Sequence, residues 1–140
     1  MVSAVSDAPL KIATFKIGRL KKRPDFLACA RAAHCARGAV LVQARLRDDT
    51  PLVRAGFTAT KRIGGAVERN RAKRRLREAA RLLLPALASP GFDYVFVARG
   101  GVTTRPWPRL LDDVKSALLR LAADGDGRLR DPAHAPPSSD

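Results

Sequence analysis

This chain is poor in the residues that carry out chemistry. Its 140 residues include two cysteines, two histidines, one tryptophan, one tyrosine and one methionine, and 13 acids stand against 27 lysines and arginines. Cys29 and Cys35 lie six apart with His34 between them, and no CxxC pair occurs. A metal cage there would need a fourth ligand that the sequence does not supply, so both read as reduced thiols of a cytosolic protein. With His134 near the C-terminus, the histidines are a poor supply for a nucleophile–base pair. The acids of Asp48-Asp49 and of Asp112-Asp113 are sequence neighbours whose side chains diverge, so neither pair makes a two-metal site. They read as turn and helix-surface residues. Gly64-Gly65 is not followed by the Gly-Lys-Ser/Thr of a nucleotide-binding loop. No apolar run reaches 18 residues and no signal-peptide core stands at the N-terminus, which argues against a membrane span and for the cytoplasm. An autonomous enzyme, a metal-holding protein and a small-molecule binder are all disfavoured.

What is present is enough apolar residue for one domain and a large excess of positive charge. The apolar fraction of 46% is ordinary for a folded chain, and 140 residues suit a single core. The formal net charge is +14, and it is concentrated. Residues 1–60 carry net +7, residues 61–81 carry another +7, and residues 82–140 are neutral. Such a patch attracts phosphate backbones and makes binding salt-dependent.

Periodicity organises the rest. Residues 1–17 are weakly patterned and read as an arm, 18–122 as one domain, and 123–140, rich in Gly, Asp, Pro and Ser, as a tail. Arg19, Lys21, Lys22 and Arg23 form a basic lead-in to Pro24, which suits the first turn of a helix. Phe26, Leu27, Ala30 and Ala33 have helical spacing and predict a helix ending near Gly38. Residues 39–46 and 53–61 read as strands of an antiparallel hairpin. In the second strand Val53, Ala55, Phe57 and Ala59 point to a core, while Arg54, Gly56, Thr58, Thr60 and Arg62 form a small, hydroxylated face, basic at both ends and suited to an anionic ligand. A third strand covers 93–99 and is broken by Gly100-Gly101. Leu110, Leu111, Val114, Leu118 and Leu121 stripe a final helix, with Trp107 near its start as a packing residue. The order α-β-β-α-β-α predicts an α+β sandwich, a small and mostly antiparallel sheet with helices packed on it.

Between residues 61 and 81, nine Lys/Arg face only Glu68 and Glu78. Behind the turn Ile63-Gly64-Gly65 the pattern predicts a helix from Ala66 to about Leu84, stopped near Pro85. Ala72, Leu76, Ala79, Ala80 and Leu83 form its narrow apolar arc, and basic residues fan around the remainder. Glu78 is expected to pair with Arg74 or Arg75. A membrane-surface helix would keep a broad, bulky apolar face. This one suits a nucleic acid, since Arg and Lys can straddle phosphates and Arg can stack on bases. Asn70 either reads a base edge or is a surface polar residue.

The run Lys61-Arg62-Ile63-Gly64-Gly65-Ala66-Val67-Glu68-Arg69-Asn70-Arg71-Ala72-Lys73-Arg74-Arg75-Leu76-Arg77-Glu78 resembles the Arg-Asn-Arg signature of the bacterial ribonuclease P protein subunit. Its neighbours agree in order and spacing: Arg19-Leu20-Lys21-Lys22-Arg23 with Asp25-Phe26, then Gly56-Phe57-Thr58-Ala59-Thr60-Lys61, then Asp93-Tyr94-Val95-Phe96-Val97-Ala98-Arg99. The resemblance covers roughly residues 18–122. It implies the small partner of a large catalytic RNA that uses Mg²⁺, in a complex that cleaves 5′ leaders from precursor tRNA. The protein would then hold no catalytic residue and no cofactor of its own.

By position, Arg69, Asn70, Arg71, Lys73, Arg74 and Arg77, with Arg62, inherit contact with the catalytic RNA and the cleavage-proximal leader. Phe26, Val42, Thr58, Thr60, Lys61 and Arg99 map to a cleft beside the first helix that holds the single-stranded leader farther upstream. The resemblance also implies a four-stranded sheet, whose short fourth strand would lie within 101–104, with a left-handed βαβ crossover, an exception to the usual hand. Ala30 and Val42 stand where the family often has aromatics. Stacking contributes ~1–3 kcal/mol per base, so leader binding is expected to be less stacked and more electrostatic here. The rival reading, a generic RNA- or ribosome-binding protein, shares the charge but does not require the strand at 56–61 feeding the signature.

Overall fold

The computed structural model describes residues 17–47 and 51–125. Residues 1–16 of the expected arm, the Asp48-Asp49 turn and residues 126–140 of the expected tail lie outside the described residues. Ile17 itself belongs to a strand, and the last helix continues to Gly125.

The elements run β1 (Ile17–Arg19), α1 (Arg23–Ala30), β2 (Ala33–Arg37), β3 (Val40–Leu46), β4 (Val53–Thr58), a 3-10 turn (Lys61–Ile63), α2 (Ala66–Leu87), β5 (Phe92–Ala98) and α3 (Trp107–Gly125). The strands form one sheet in the order β1-β4-β5-β3-β2. Pairing is evenly mixed where a mostly antiparallel sheet was expected: β1–β4 and β4–β5 are parallel, β3–β5 and β2–β3 antiparallel. The single-domain α+β layering is the expected one. β4, α2 and β5 form its βαβ unit, since parallel neighbours need a crossover between them.

Local expectations change in four places. Residues 39–46 and 53–61 do not pair with each other, because β5 lies between β3 and β4. Six of the seven β5 residues are buried, so this strand belongs at the centre, where both its faces are covered. The first helix stops at Ala30, and Ala33–Arg37 is a strand hairpinned to β3. Ala33 and Cys35 alternate inward against exposed His34 and Ala36, a period of two that the helical spacing of the alanines concealed. Gly38 turns that hairpin with φ +53°, and the space a side chain would need there is filled by the Asp113 carboxylate. The segment 101–104 is a turn, so the strands not anticipated are β1 and β2. Finally, α2 continues through Pro85 to Leu87, closing when Ala88 N–H donates to Leu84 O at 2.8 Å. One proline in the last turn removes a bond without ending a helix that neighbouring contacts hold.

Asp113 was expected on a helix surface and is instead buried. It accepts from Ala39 N–H at 3.1 Å and from Arg105 Nε at 2.5 Å, which clips the β2–β3 turn to α3.

Strand parity divides the sheet into two faces. The face under α2 and α3 is the main core, where Val42, Ala44, Val53, Ala55 and Phe96 meet Leu76, Leu84, Leu110 and Val114. On the other face α1 covers a smaller cluster of Leu20, Cys29 and Val95, with Phe26 and Val97 against it. Burial, reinforced by Asp93, pushes the Cys29 thiol up to about 11, so it stays protonated at neutral pH. Asp93 shares this face and is fully buried. Its carboxylate accepts from Arg47 at 2.6 Å and from Arg54 at 2.8 and 2.7 Å, with Arg45 at 3.6 Å. A buried carboxylate needs such partners, and the Asp93 bond in turn holds the Arg54 guanidinium above its ordinary range. Arg54 also lies 3.4 Å from Asp25, tying the first turn of α1 to β4. The Arg54 end of this strand face is therefore engaged within the protein, where the sequence suggested a ligand contact.

Gly56 allows α1 to settle on the sheet. A Cβ there would stand 2.6 Å from two ring carbons of Phe26 and 3.0 Å from Leu20 Cβ. Gly56→Ala should lower stability by about 1–3 kcal/mol in urea melts through overpacking. Combining it with Phe26→Leu should recover a large part of that loss; simple additivity of the two changes would show that the ring is not the obstacle.

Candidate nucleic-acid interface

The helix α2 has to hold to the sheet while displaying its charges. Its fully seated residues are Ala72, Leu76, Ala79, Ala80 and Leu84, each 2% exposed or less. Leu84 takes the place expected of Leu83, which is half-buried. Arg69/Lys73, Arg71/Arg75, Lys73/Arg77 and Arg77/Arg81 are like-charged pairs four apart, each destabilising by ~0.2–0.5 kcal/mol. Burying Leu76 and Leu84 contributes about 1.5–3 kcal/mol apiece. Packing outweighs repulsion.

One arginine of the run faces inward. Arg75 Nη1 donates to Val102 O at 2.6 Å and Nη2 to Arg105 O at 2.7 Å, and its guanidinium lies 5.7 Å from the Trp107 ring centroid. Trp107 packs half-buried against the main core, the role its position suggested. Arg75 thus clamps α2 to the segment leading into α3. Glu78 pairs with Arg81, not with Arg74 or Arg75, because Arg75 is committed inward. The Arg81 bond holds the Glu78 carboxyl below its ordinary range.

The outward side gathers most of the expected contacts. Asn70, Arg71, Lys73, Arg74 and Arg77, with Val67, line one open depression of about 450 Å³. Arg69 is half-buried near the start of the helix, and Arg62 is exposed in the 3-10 turn before it. The depression is shallow and cationic, suited to a phosphate backbone laid across it.

A second surface lies on the α1 face, at the C-terminal ends of β4 and β5. Thr58 is paired with Val97, which is paired with Leu41 of β3. Phe26 sits half-buried over Gly56, two residues before Thr58 and on the same face. Exposed Thr60 and Lys61 follow β4, and exposed Arg99 follows β5. Val42 does not join them: it is 0% exposed in the main core, on the opposite face. Val40, Val42 and Ala44 share that parity, and Leu41 is the β3 residue turned toward α1. The alternation was legible in the sequence. Ala30 is exposed at the end of α1.

The basic lead-in divides. Lys21, Lys22 and Arg23 are exposed at the start of α1. Arg19 pairs with Ala55 and so projects to the α2 side, where it helps line a groove with Phe57 and Arg77. Nothing in sequence spacing connects those three residues. Among the described residues no helix is long and apolar enough to cross a membrane.

These features define a class: a single-domain α+β protein with a cationic helix laid on a mixed sheet. Comparison with known proteins makes the class specific. The ribonuclease P family profile matches residues 16–122. The chain is 69% identical over 114 residues to the ribonuclease P protein component of Caulobacter vibrioides (strain NA1000 / CB15N), covering 81% of this chain and 76% of that protein. It is 53% identical over 110 residues to the ribonuclease P protein component of Ruegeria pomeroyi, covering 76% and 88%. The Staphylococcus aureus RNase P protein structure superposes with a TM-score of 0.64 at 23% identity, covering 75% of this chain and 95% of that one. The Thermotoga maritima RNase P protein gives 0.63 at 24%, covering 73% and 96%. At such identities the two structures speak to the fold alone. The chain belongs to the ribonuclease P protein family, the protein components that work with ribonuclease P RNA in tRNA 5′ processing.

The division of labour on α2 can be measured. Arg75→Ala should cost about 1–3 kcal/mol in thermal or urea unfolding, since it strips the donors from two carbonyls. Arg74→Ala should stay within about 0.5 kcal/mol of the parent. Equal effects would argue against the clamp.

Proposed function

We propose that the outward side of α2 binds the catalytic RNA and the cleavage-proximal leader of precursor tRNA. The α1 face, at Phe26, Thr58, Thr60, Lys61 and Arg99, then holds the leader farther upstream. Precursor tRNA is the substrate, and cleavage at the mature 5′ end is the RNA's own chemistry, with the protein positioning it. The observation that carries this reading is the convergence of Asn70, Arg71, Lys73, Arg74 and Arg77 on one open surface while Arg75 turns inward. Charge without structural employment is charge available to phosphates.

Mg²⁺ belongs to this reaction as an RNA-held ion. Among the described residues no three His, Cys, Asp or Glu side chains come together as a metal site, and this reading leaves the ion to the RNA. The contribution left to the protein is electrostatic and positional.

Reconstitution with transcribed catalytic RNA tests the reading. The pair should release the leader from precursor tRNA in Mg²⁺, and the protein without RNA should leave the precursor intact; cleavage by the protein by itself would overturn the assignment. Arg69→Ala and Arg74→Ala should each weaken assembly and reduce the slope of log affinity against log salt by about one. Unchanged affinity and slope in both variants would remove α2 as the contact surface.

A further inference from the structure

A groove of about 310 Å³ lies between the β1–β4 edge of the sheet and the second half of α2. It is on the opposite face of the sheet from α1. Its walls are mainly apolar, from Ile17, Phe57, Leu84 and Pro85, and Arg19 and Arg77 stand at its rim. Arg81 also reaches it, but its guanidinium is paired with Glu78. The Phe96 and Phe57 rings are stacked at 5.4 Å and 16°, and the Arg77 guanidinium carbon lies 5.6 Å from the Phe57 centroid. Three planar groups thus follow one another from a fully buried ring, through a half-buried ring, to an exposed guanidinium. Arg77 also lines the cationic depression on the outward side of α2. It is the wall common to both surfaces.

We propose that this groove receives one unpaired base of the catalytic RNA, stacked on Arg77 and seated against the apolar wall, with Arg19 facing its phosphate. The proposal rests on the functional reading above and deepens it by naming what the RNA places beside α2. Apolar walls under a cationic rim match the two halves of a nucleotide, a flat π-face and an anionic phosphate. A guanidinium backed by aromatic rings is a sequence-tolerant stacking platform. Continuity with the α2 surface favours the catalytic RNA over the upstream leader as the source, and the precursor arm of the test separates it from a cleavage-proximal base. A backbone on Asn70–Arg74 reaches Arg77 within about one helical turn, ~5.4 Å, whereas the sheet separates this groove from the α1 face.

The test uses the full chain and transcribed catalytic RNA, with melting curves to verify folding. Arg77→Lys keeps the charge and removes the plane; Ile17→Trp fills the groove from its exposed edge. Each should weaken RNA binding about 5- to 100-fold, the range that loss of one stacked base produces. For Arg77→Lys the salt slope should stay at the parent's value, because the charge is kept; Ile17→Trp, which also displaces the nucleotide from Arg19, should lower it by about one at most. Affinity within twofold of the parent for Arg77→Lys, or for a fully folded Ile17→Trp, overturns the proposal and leaves the α2 reading standing. If Ile17→Trp melts early, Arg77→Lys decides. Unchanged RNA affinity with weakened precursor binding by the assembled complex would assign the groove to a substrate base and overturn the catalytic-RNA assignment. If the unsubstituted chain shows no salt-dependent RNA binding, the functional reading fails with it.

Discussion

Ala72, Ala79 and Ala80 let the axis of α2 approach the sheet closely, and this seating sets where its arginines stand. Larger residues along that seam would lift the helix and loosen Leu76 and Leu84, whose burial offsets the repulsion among its charges. With the seam small, the long basic side chains flank the contact and reach solvent. Among the described residues the acid paired on that helix is Glu78, with Arg81, and the repulsion among the charges from Arg69 to Arg77 is left in place. A polyanion relieves it.

The central strand β5 carries both faces of the molecule. Its Phe92, Tyr94, Phe96 and Ala98 belong to the core under α2 and α3, while Val95 and Val97 serve the smaller core under α1. Asp93 adds a buried carboxylate that draws in arginines from β3, the segment after it, and β4. Removing either partner of such a buried pair costs more than forming it contributes, because the other charge is left buried without a partner. The α1 face is thereby anchored at one end and left open at the other, where Thr58, Thr60, Lys61 and Arg99 gather.

Arginine serves two purposes in this chain, and composition does not distinguish them. Arg47, Arg54, Arg75 and Arg105 donate to carboxylates or carbonyls of the fold. Arg71, Arg74 and Arg77 line the outward depression. Arg74 and Arg75 are adjacent and have opposite roles, because a step of about 100° around the helix carries one to solvent and the other to the Val102 carbonyl.

Local patterning was enough for the parts whose signal is local. The basic helix, its small apolar arc, the parity of β4 and the Arg-Asn-Arg signature could all be read from period and spacing, and the family followed from the signature. Pairing between distant segments could not. Which strand lies beside β3 depends on β5, nearly fifty residues away, being the segment with two apolar faces, and the alanine-rich stretch 30–37 supports helix or strand until a partner strand selects one. The same limit applies to the site. That Val42 faces the core was written in its alternation, but that Arg19, Phe57 and Arg77 border one groove was not, because three elements meet there only after the sheet has closed. The sequence by itself determined what this protein displays, a concentrated cationic helix. The tertiary structure decided which of those cations remain for a partner, because only packing shows which ones the fold has already engaged.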